Sequence, residues 1–273
     1  DAEGLYEDAR AAGERAATLA LESRESSLLL EAWLTLLKVE RSLADSEAAA
    51  RLRAWSEAIL ATEPVGQELE EEYWFAIAWA EASDENFAAA QHAWARAIAA
   101  GELLRGPSDP FVALARSAHA WTVGMQGRAA AAIPELDASL ETIEREFGSE
   151  SEAAIATLAR LAEMLLSADD VARAARVARR GLRACDALRP RHPTKIHLLT
   201  TLAQAVMRGD PPDPEEADAL FVTARDESRR LLPATHPWLV SADVNRVAPL
   251  LQADRAQDAL AVARAGAEAR ESS

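Results

Sequence analysis

The sequence predicts an all-α solenoid of stacked antiparallel helix pairs, on three observations. The stretch Glu71 to Ile98 reads as two amphipathic helices joined by the polar turn Ala82-Ser83-Asp84-Glu85. Its first helix carries Trp74, Ile77 and Ala78 and its second Ala90, Trp94 and Ala97, spacings that keep each set on one helical face. From Ala90, small residues recur at Ala132, Ala174, Ala217 and Ala259, at intervals of 42, 42, 43 and 42. Seven residues beyond each stand Ala97, Ser139, Gly181, Ala224 and Gly266. Small residues let two helices approach closely, and five such pairs in register define a repeat. Finally, few glycines, no alternating Val/Ile/Thr runs and no hairpin dipeptides argue against sheet.

Taken in order, residues 5–23 are expected to form one helix, with Leu5, Ala9, Ala12, Ala16 and Leu19 on one side, the second member of a pair. Residues 27–44 and 46–61 form a divergent pair in which Trp55 and Ala58 fit the template and Arg51 stands where a small residue belongs. Glu63-Pro64-Val65-Gly66 is a break. The template pair follows at 68–82 and 84–101, then pairs at 110–125 with 128–146, 152–167 with 169–188, 193–208 with 214–232, and 237–252 with 254–270. The organisation is therefore a divergent region, 1–66, continuous with five helix pairs, 67–273. Asp109-Pro110, His192-Pro193 and His236-Pro237 open first helices, because proline's missing N–H costs nothing in a first turn. Asp213-Pro214-Glu215-Glu216 adds a cap and acids at the positive end of the dipole. Pro134 and Pro249 fall inside expected helices, where each predicts a kink or a displaced boundary.

These motifs, Trp74-x2-Ile77-Ala78 and Ala90-x3-Trp94-x2-Ala97, resemble the tetratricopeptide (TPR) repeat, with Ala78 for the usual glycine and Glu81 where an aromatic is expected. The period of about 42 and the His-Pro starts resemble the longer repeats of kinesin light chain, as in bacterial multidomain signalling proteins. The resemblance covers residues 28–269. It implies a right-handed superhelix of twelve or thirteen helices whose first helices line a concave groove for a protein or peptide. The asparagine that family often has two residues before the first-helix small residue is replaced by Ala76, Ala118, Arg160 and Thr201, with Asn245 the one match. The fold carries over and the ligand does not.

The 273 residues carry a formal charge of −16, which disfavours nucleic acid and anionic membrane as partners. The charge is uneven: residues 1–150 hold 28 acids and 12 bases, residues 151–200 hold 5 acids and 9 bases. One cysteine, Cys185, excludes an intrachain disulfide and a thiolate zinc cluster, and it reads as core with Ala174, Ala178 and Gly181. With no signal-type segment and no long apolar run, a cytoplasmic location is expected. Asp1 in place of a start methionine suggests a piece of a longer protein.

No histidine precedes a glutamate, neither Lys38 nor Lys195 follows a glycine, and no two glycines lie four apart. The zinc-protease helix, the phosphate loop and the hydrolase elbow are therefore absent, and no cofactor or metal is called for. His192 and His197, five apart, do not share a helix face and read as capping and groove-lining residues. Glu68, Glu70, Glu71 and Glu72 complement a helix dipole or repel acidic partners. Arg173, Arg176, Arg180 and Arg183 occupy one helix face, either solvated and balanced by acids of neighbouring repeats or a docking patch for an acidic segment.

The residue after each first-helix small position turns about 100° towards the expected groove: Trp79, Trp121, Glu163 and Gln204. Four residues earlier come Phe75, Ser117, Ala159 and Thr200, with His197 a further turn back. Trp79 and Trp121 either line this groove or pack between adjacent first helices, whereas Trp94 is expected to be buried. The reading is a non-catalytic interaction scaffold for a protein or peptide. Its alternative is the regulatory part of a larger bacterial signalling protein such as a serine/threonine kinase.

Overall fold

The computed structural model describes residues 2–42, 46–63, 65–189, 192–231 and 244–271. Among them the regular elements are helices, and the fold is all-α. The chain divides into two compact units, Asp1–Ala115 and Arg116–Ser273. In the first are α1 (Ala2–Ser23), α2 (Ser26–Ser42), α3 (Ser46–Thr62), α4 (Gln67–Ser83) and α5 (Phe87–Arg105), with α2 packed on α1, α3 and α4, and α5 on α4; α6 (Pro110–Val123) contains the division. The second holds α7 (Ala129–Phe147), α8 (Glu152–Ser167), α9 (Val171–Leu188), α10 (Thr194–Met207), α11 (Pro214–Leu231), α12 (Val247–Gln252) and α13 (Ala256–Glu271).

The small-residue seam is the packing surface. Ala90, Ala132, Ala174, Ala217 and Ala259 are all buried, as are Ala97, Ser139, Gly181 and Ala224. On the first helices Ala78, Ala120, Ala162 and Ala203 are equally enclosed. At Gly181 the approach is so close that a Cβ would lie 2.8 Å from Leu198 Cδ2. Large side chains fill the layers between seams: Ile155, Leu198, Leu202 and Phe221 pack with Cys185 in the second unit.

The pairs α4–α5, α8–α9 and α12–α13 close in the same way. Asn86 donates its backbone N–H to Glu81 O at 2.8 Å and Glu85 donates to Ala82 O at 3.2 Å. Asp170 and Asp169 repeat this on Leu165 and Leu166, and Arg255 and Asp254 on Leu250 and Leu251. This is the 6→1, 5→2 closure that needs a left-handed residue after the helix. Glu85 (φ 58°), Asp169 (φ 66°) and Asp254 (φ 59°) adopt it, and Gly127 (φ 83°) holds the corresponding place between α6 and α7. Helix starts are capped by side chains: Asp109 Oδ1 accepts from Phe111 N at 2.9 Å, Asp213 Oδ1 from Glu216 N at 2.9 Å, and His192 Nδ1 from Thr194 N at 3.2 Å.

Several expectations shift. Helix α4 extends through Ser83, so the turn is Asp84–Asn86. On α1 the buried side is Gly13, Ala17 and Ala20, and Ala12, Ala16 and Leu19 are exposed. On α3 Ala49, Leu52 and Ser56 face inward, while Arg51, Trp55 and Ala58 are exposed. Ala49 and Ser56 are seven apart, so the divergent pair keeps the small-residue seam in a register the tryptophan match concealed. Trp55 instead packs on Trp33, ring centroids 5.6 Å apart. Pro134 stays inside α7, removing the hydrogen bond to the Ala130 carbonyl on a side where both residues are exposed. Pro249 sits in the first turn of α12, a displaced boundary at which its missing N–H costs no intrahelical hydrogen bond. His236-Pro237 lies outside the described residues.

Candidate functional site

Phe75 and Trp79 belong to the first unit and the other six groove candidates to the second. In the first, α4 presents Phe75 half-buried and Trp79 37% exposed, while Trp94 on α5 is fully enclosed beneath them. The three rings meet edge to face, with centroids 5.0 Å (Phe75–Trp94), 5.4 Å (Trp79–Trp94) and 6.5 Å (Phe75–Trp79) apart. That arrangement suits the ring quadrupoles and fixes the outer two. Phe75 and Trp79 line a pocket of about 510 Å³ with Ala76 and Ser83 of α4 and Lys38 of α2. Glu72 closes its rim through an ion pair to Lys38 at 3.0 Å.

In the second unit the candidates form a polar line across α6, α8 and α10. Trp121, half-buried, donates its indole N–H to Glu163 Oε2 at 2.7 Å, and His197 Nε2 stands 3.5 Å from the same oxygen. Burial would raise the Glu163 pKa, but His197, Trp121 and Arg160 together hold it below its ordinary value. Ser117, expected on the groove, is fully buried. It accepts from Arg160 Nη1 at 2.7 Å and lies 3.2 Å from Thr157 Oγ1. Thr157 spends its own hydroxyl hydrogen on Ala153 O, so Ser117 is the donor between the two. Arg160 went unnoticed in the sequence except as a missing asparagine. It is enclosed, and burial pulls its pKa down to about 10 against the opposing pull of Glu163. The signal available was the charge itself, two residues before a seam alanine. Thr200 is half-buried and donates to Ile196 O at 3.0 Å; Gln204 is exposed and lines a pocket of about 290 Å³ with Met207, Phe221 and Asn245.

The arginine row of α9 is divided. Arg173 bonds both oxygens of Asp137 on α7 (2.5 and 2.6 Å), and Arg180 pairs with Glu144, also on α7. Arg179 reaches Glu216 on α11 at 2.9 Å. Arg176 and Arg183 point to solvent with no ion pair among the described residues. The acidic run at the start of α4 is spent likewise: Glu70 on Arg96 at 2.8 Å, Glu71 on Arg105, Glu72 on Lys38. Glu81, at the aromatic position, is buried against Arg53 and accepts from Asn86 Nδ2 at 2.7 Å. His192 is buried; with Nδ1 accepting from the backbone, its Nε2–H is directed at Glu152 Oε2, 3.2 Å away. Among the described residues no group of three or more His, Cys, Asp or Glu could hold a metal, and no helix is long and apolar enough to cross a membrane.

No known family's sequence profile matches the chain. No curated protein matches it either. Solved structures do. A Rap protein complexed with Competence and Sporulation Factor superposes with a TM-score of 0.72 at 14% identity, over 98% of this chain and 74% of that one. TPR-like repeats from a Podosopora anserina protein of the kinesin-light-chain kind give 0.60 at 16% identity, over 76% and 97%. Yeast Tom70 gives 0.55 at 15%, over 98% and 55%. The fold is that of TPR-like helical repeat proteins.

Proposed function

We propose that the chain is a non-catalytic scaffold that holds a protein or peptide segment against its first helices. The observation that carries this is the aromatic pocket of α4. Trp79 keeps over a third of its surface open although α5 offers an enclosed aromatic layer directly beneath it. A rigid aromatic with a hydrogen-bond donor at its edge is the residue type that dominates binding surfaces. The Rap protein of the same fold, solved in complex with its factor, supports the reading by likeness of architecture. Placing a photoreactive p-benzoylphenylalanine at position 79 and irradiating in native lysate should give a discrete adduct. The same group at Leu19, exposed on α1, serves as the control. The partner so identified should bind purified chain and lose affinity with Trp79→Ala. Equal binding by that variant would place the surface elsewhere.

A further inference from the structure

We infer that a second surface, the cleft between the starts of α9 and α11, takes a lysine-bearing protein segment with an aliphatic side chain between its cations. This cleft lies wholly in the second unit and does not depend on the α4 pocket.

The cleft has a volume of about 880 Å³. It is formed by the loop 208–213, the turn between α8 and α9, and the first turns of α9 and α11. Its apolar lining is Val171 and Ala175 of α9, Ala205 and Val206 of α10, and Pro211 and Pro212 of the loop. Val171 and Ala175 are half-buried and both prolines exposed, so apolar surface is presented to solvent. The loop is held in place. Arg208 donates to Leu166 O at 2.9 Å and to Asp169 Oδ1 at 2.8 Å, and Asp213 N–H donates to Val206 O at 3.3 Å. Pro211, Pro212 and Pro214 fix φ along it. A cleft ordered before its partner arrives loses less entropy on binding.

The electrostatics decide the sign of the occupant. Two helix starts ordinarily favour an anion. Here Asp170 and Asp213 already cap them, accepting from Arg173 N at 3.2 Å and Glu216 N at 2.9 Å. The lining carries six acids against two bases. Both bases are engaged, Arg208 with Asp169 and Arg179 with Glu216 at 2.9 Å. Asp210 and Glu215 are exposed and make no ion pair among the described residues. An excess of negative charge around apolar surface selects against acidic segments and against purely apolar ones. Lysine answers both features, because its aliphatic stem covers apolar surface while the ammonium stays at the wet rim.

The test is fluorescence anisotropy of a labelled, C-terminally amidated peptide, Gly-Lys-Leu-Lys-Gly, titrated with the full chain. It should bind saturably, and more weakly as salt rises. Glutamine for both lysines removes the charge and serine for the leucine removes the apolar contact; each should weaken binding about threefold or more. Asp210→Asn combined with Glu215→Gln should weaken the parent peptide about threefold to tenfold, since two exposed pairs are lost. Its melting temperature should match that of the parent chain. Arg179→Met removes a competing cation and frees Glu216. It should tighten binding several-fold, a gain no loss of folding can imitate. Absence of saturable binding, equal affinity of the leucine and serine peptides, or no gain with Arg179→Met overturns the inference. Affinity lost with Trp79→Ala but kept with Asp210→Asn and Glu215→Gln would put the peptide on α4, and overturns it as well.

Discussion

Trp121 donates its indole N–H to Glu163 at 2.7 Å across 42 residues, and the two occupy the same position in successive repeats. A sequence periodicity thus becomes a physical bond between α6 and α8. Between α6 and α8 the residue after the seam alanine meets its counterpart. In the second unit that counterpart is a carboxylate, and His197 of α10 approaches it from the next repeat.

Glu163 therefore links three repeats, and its contribution depends on pH. Its folded pKa lies below the unfolded value near 4.5, so the stabilisation is present above that value. It is lost as pH falls through the lower folded pKa. Glu163→Gln keeps an acceptor for Trp121 but no charge for His197. The variant should have a lower urea midpoint than the parent at pH 7, and the gap should narrow as pH falls below the unfolded carboxylate value. A gap that persists unchanged in acid would mean the glutamine acts through packing.

The buried Arg160–Ser117 bond invites a double-mutant cycle. Ser117→Ala deprives an enclosed guanidinium of one acceptor and should cost about 1–3 kcal/mol. Arg160→Met removes the charge and keeps the stem, so the added Ser117→Ala should then cost markedly less. Additive effects in chemical denaturation would show that the 2.7 Å contact is not energetically coupled.

Cys185 has its thiol pKa pushed up to about 11, chiefly by burial with Asp186 adding to it. The thiolate is the reactive form, so at pH 8 the folded chain should react with a disulfide reagent far more slowly than the chain in urea. Equal rates would show that the core around Ile155, Leu198 and Phe221 opens freely.

The seam was readable from sequence because close approach tolerates only small side chains, and five alanines at one spacing leave few alternatives. The first three helices were harder. Matching Trp55 to Trp94 set α3 one face out of register, since an aromatic on a helix reads the same whether it packs inward or rests on a neighbour such as Trp33. The true marker was the Ala49–Ser56 pair. The pair-closing turns were visible as polar breaks but not as left-handed closures, because glutamate and aspartate fill a position glycine usually marks. Trp79 and Trp121 could be placed on one face by spacing. Which of them stayed open depended on acceptors one repeat away, Glu163 for Trp121, and the partner of Arg160 was equally non-local.

Gly181 tests the seam most directly. A Cβ there would lie 2.8 and 2.9 Å from the two methyls of Leu198 and 3.5 Å from Leu158 Cβ, the first two too close and the third ordinary. The Leu198 methyls end a flexible side chain, so Gly181→Ala asks for a small rotation. In return it gains up to about 1 kcal/mol of helix propensity in mid-α9. That substitution should be close to neutral. Gly181→Leu has no such escape, because its branch would occupy the volume Leu198 already fills between α9 and α10. It should cost about 1–3 kcal/mol by overpacking. The pair of variants separates crowding from backbone preference, since both replace the same glycine. A denaturation midpoint for Gly181→Leu as high as that for Gly181→Ala would mean that α9 and α10 do not approach at this residue.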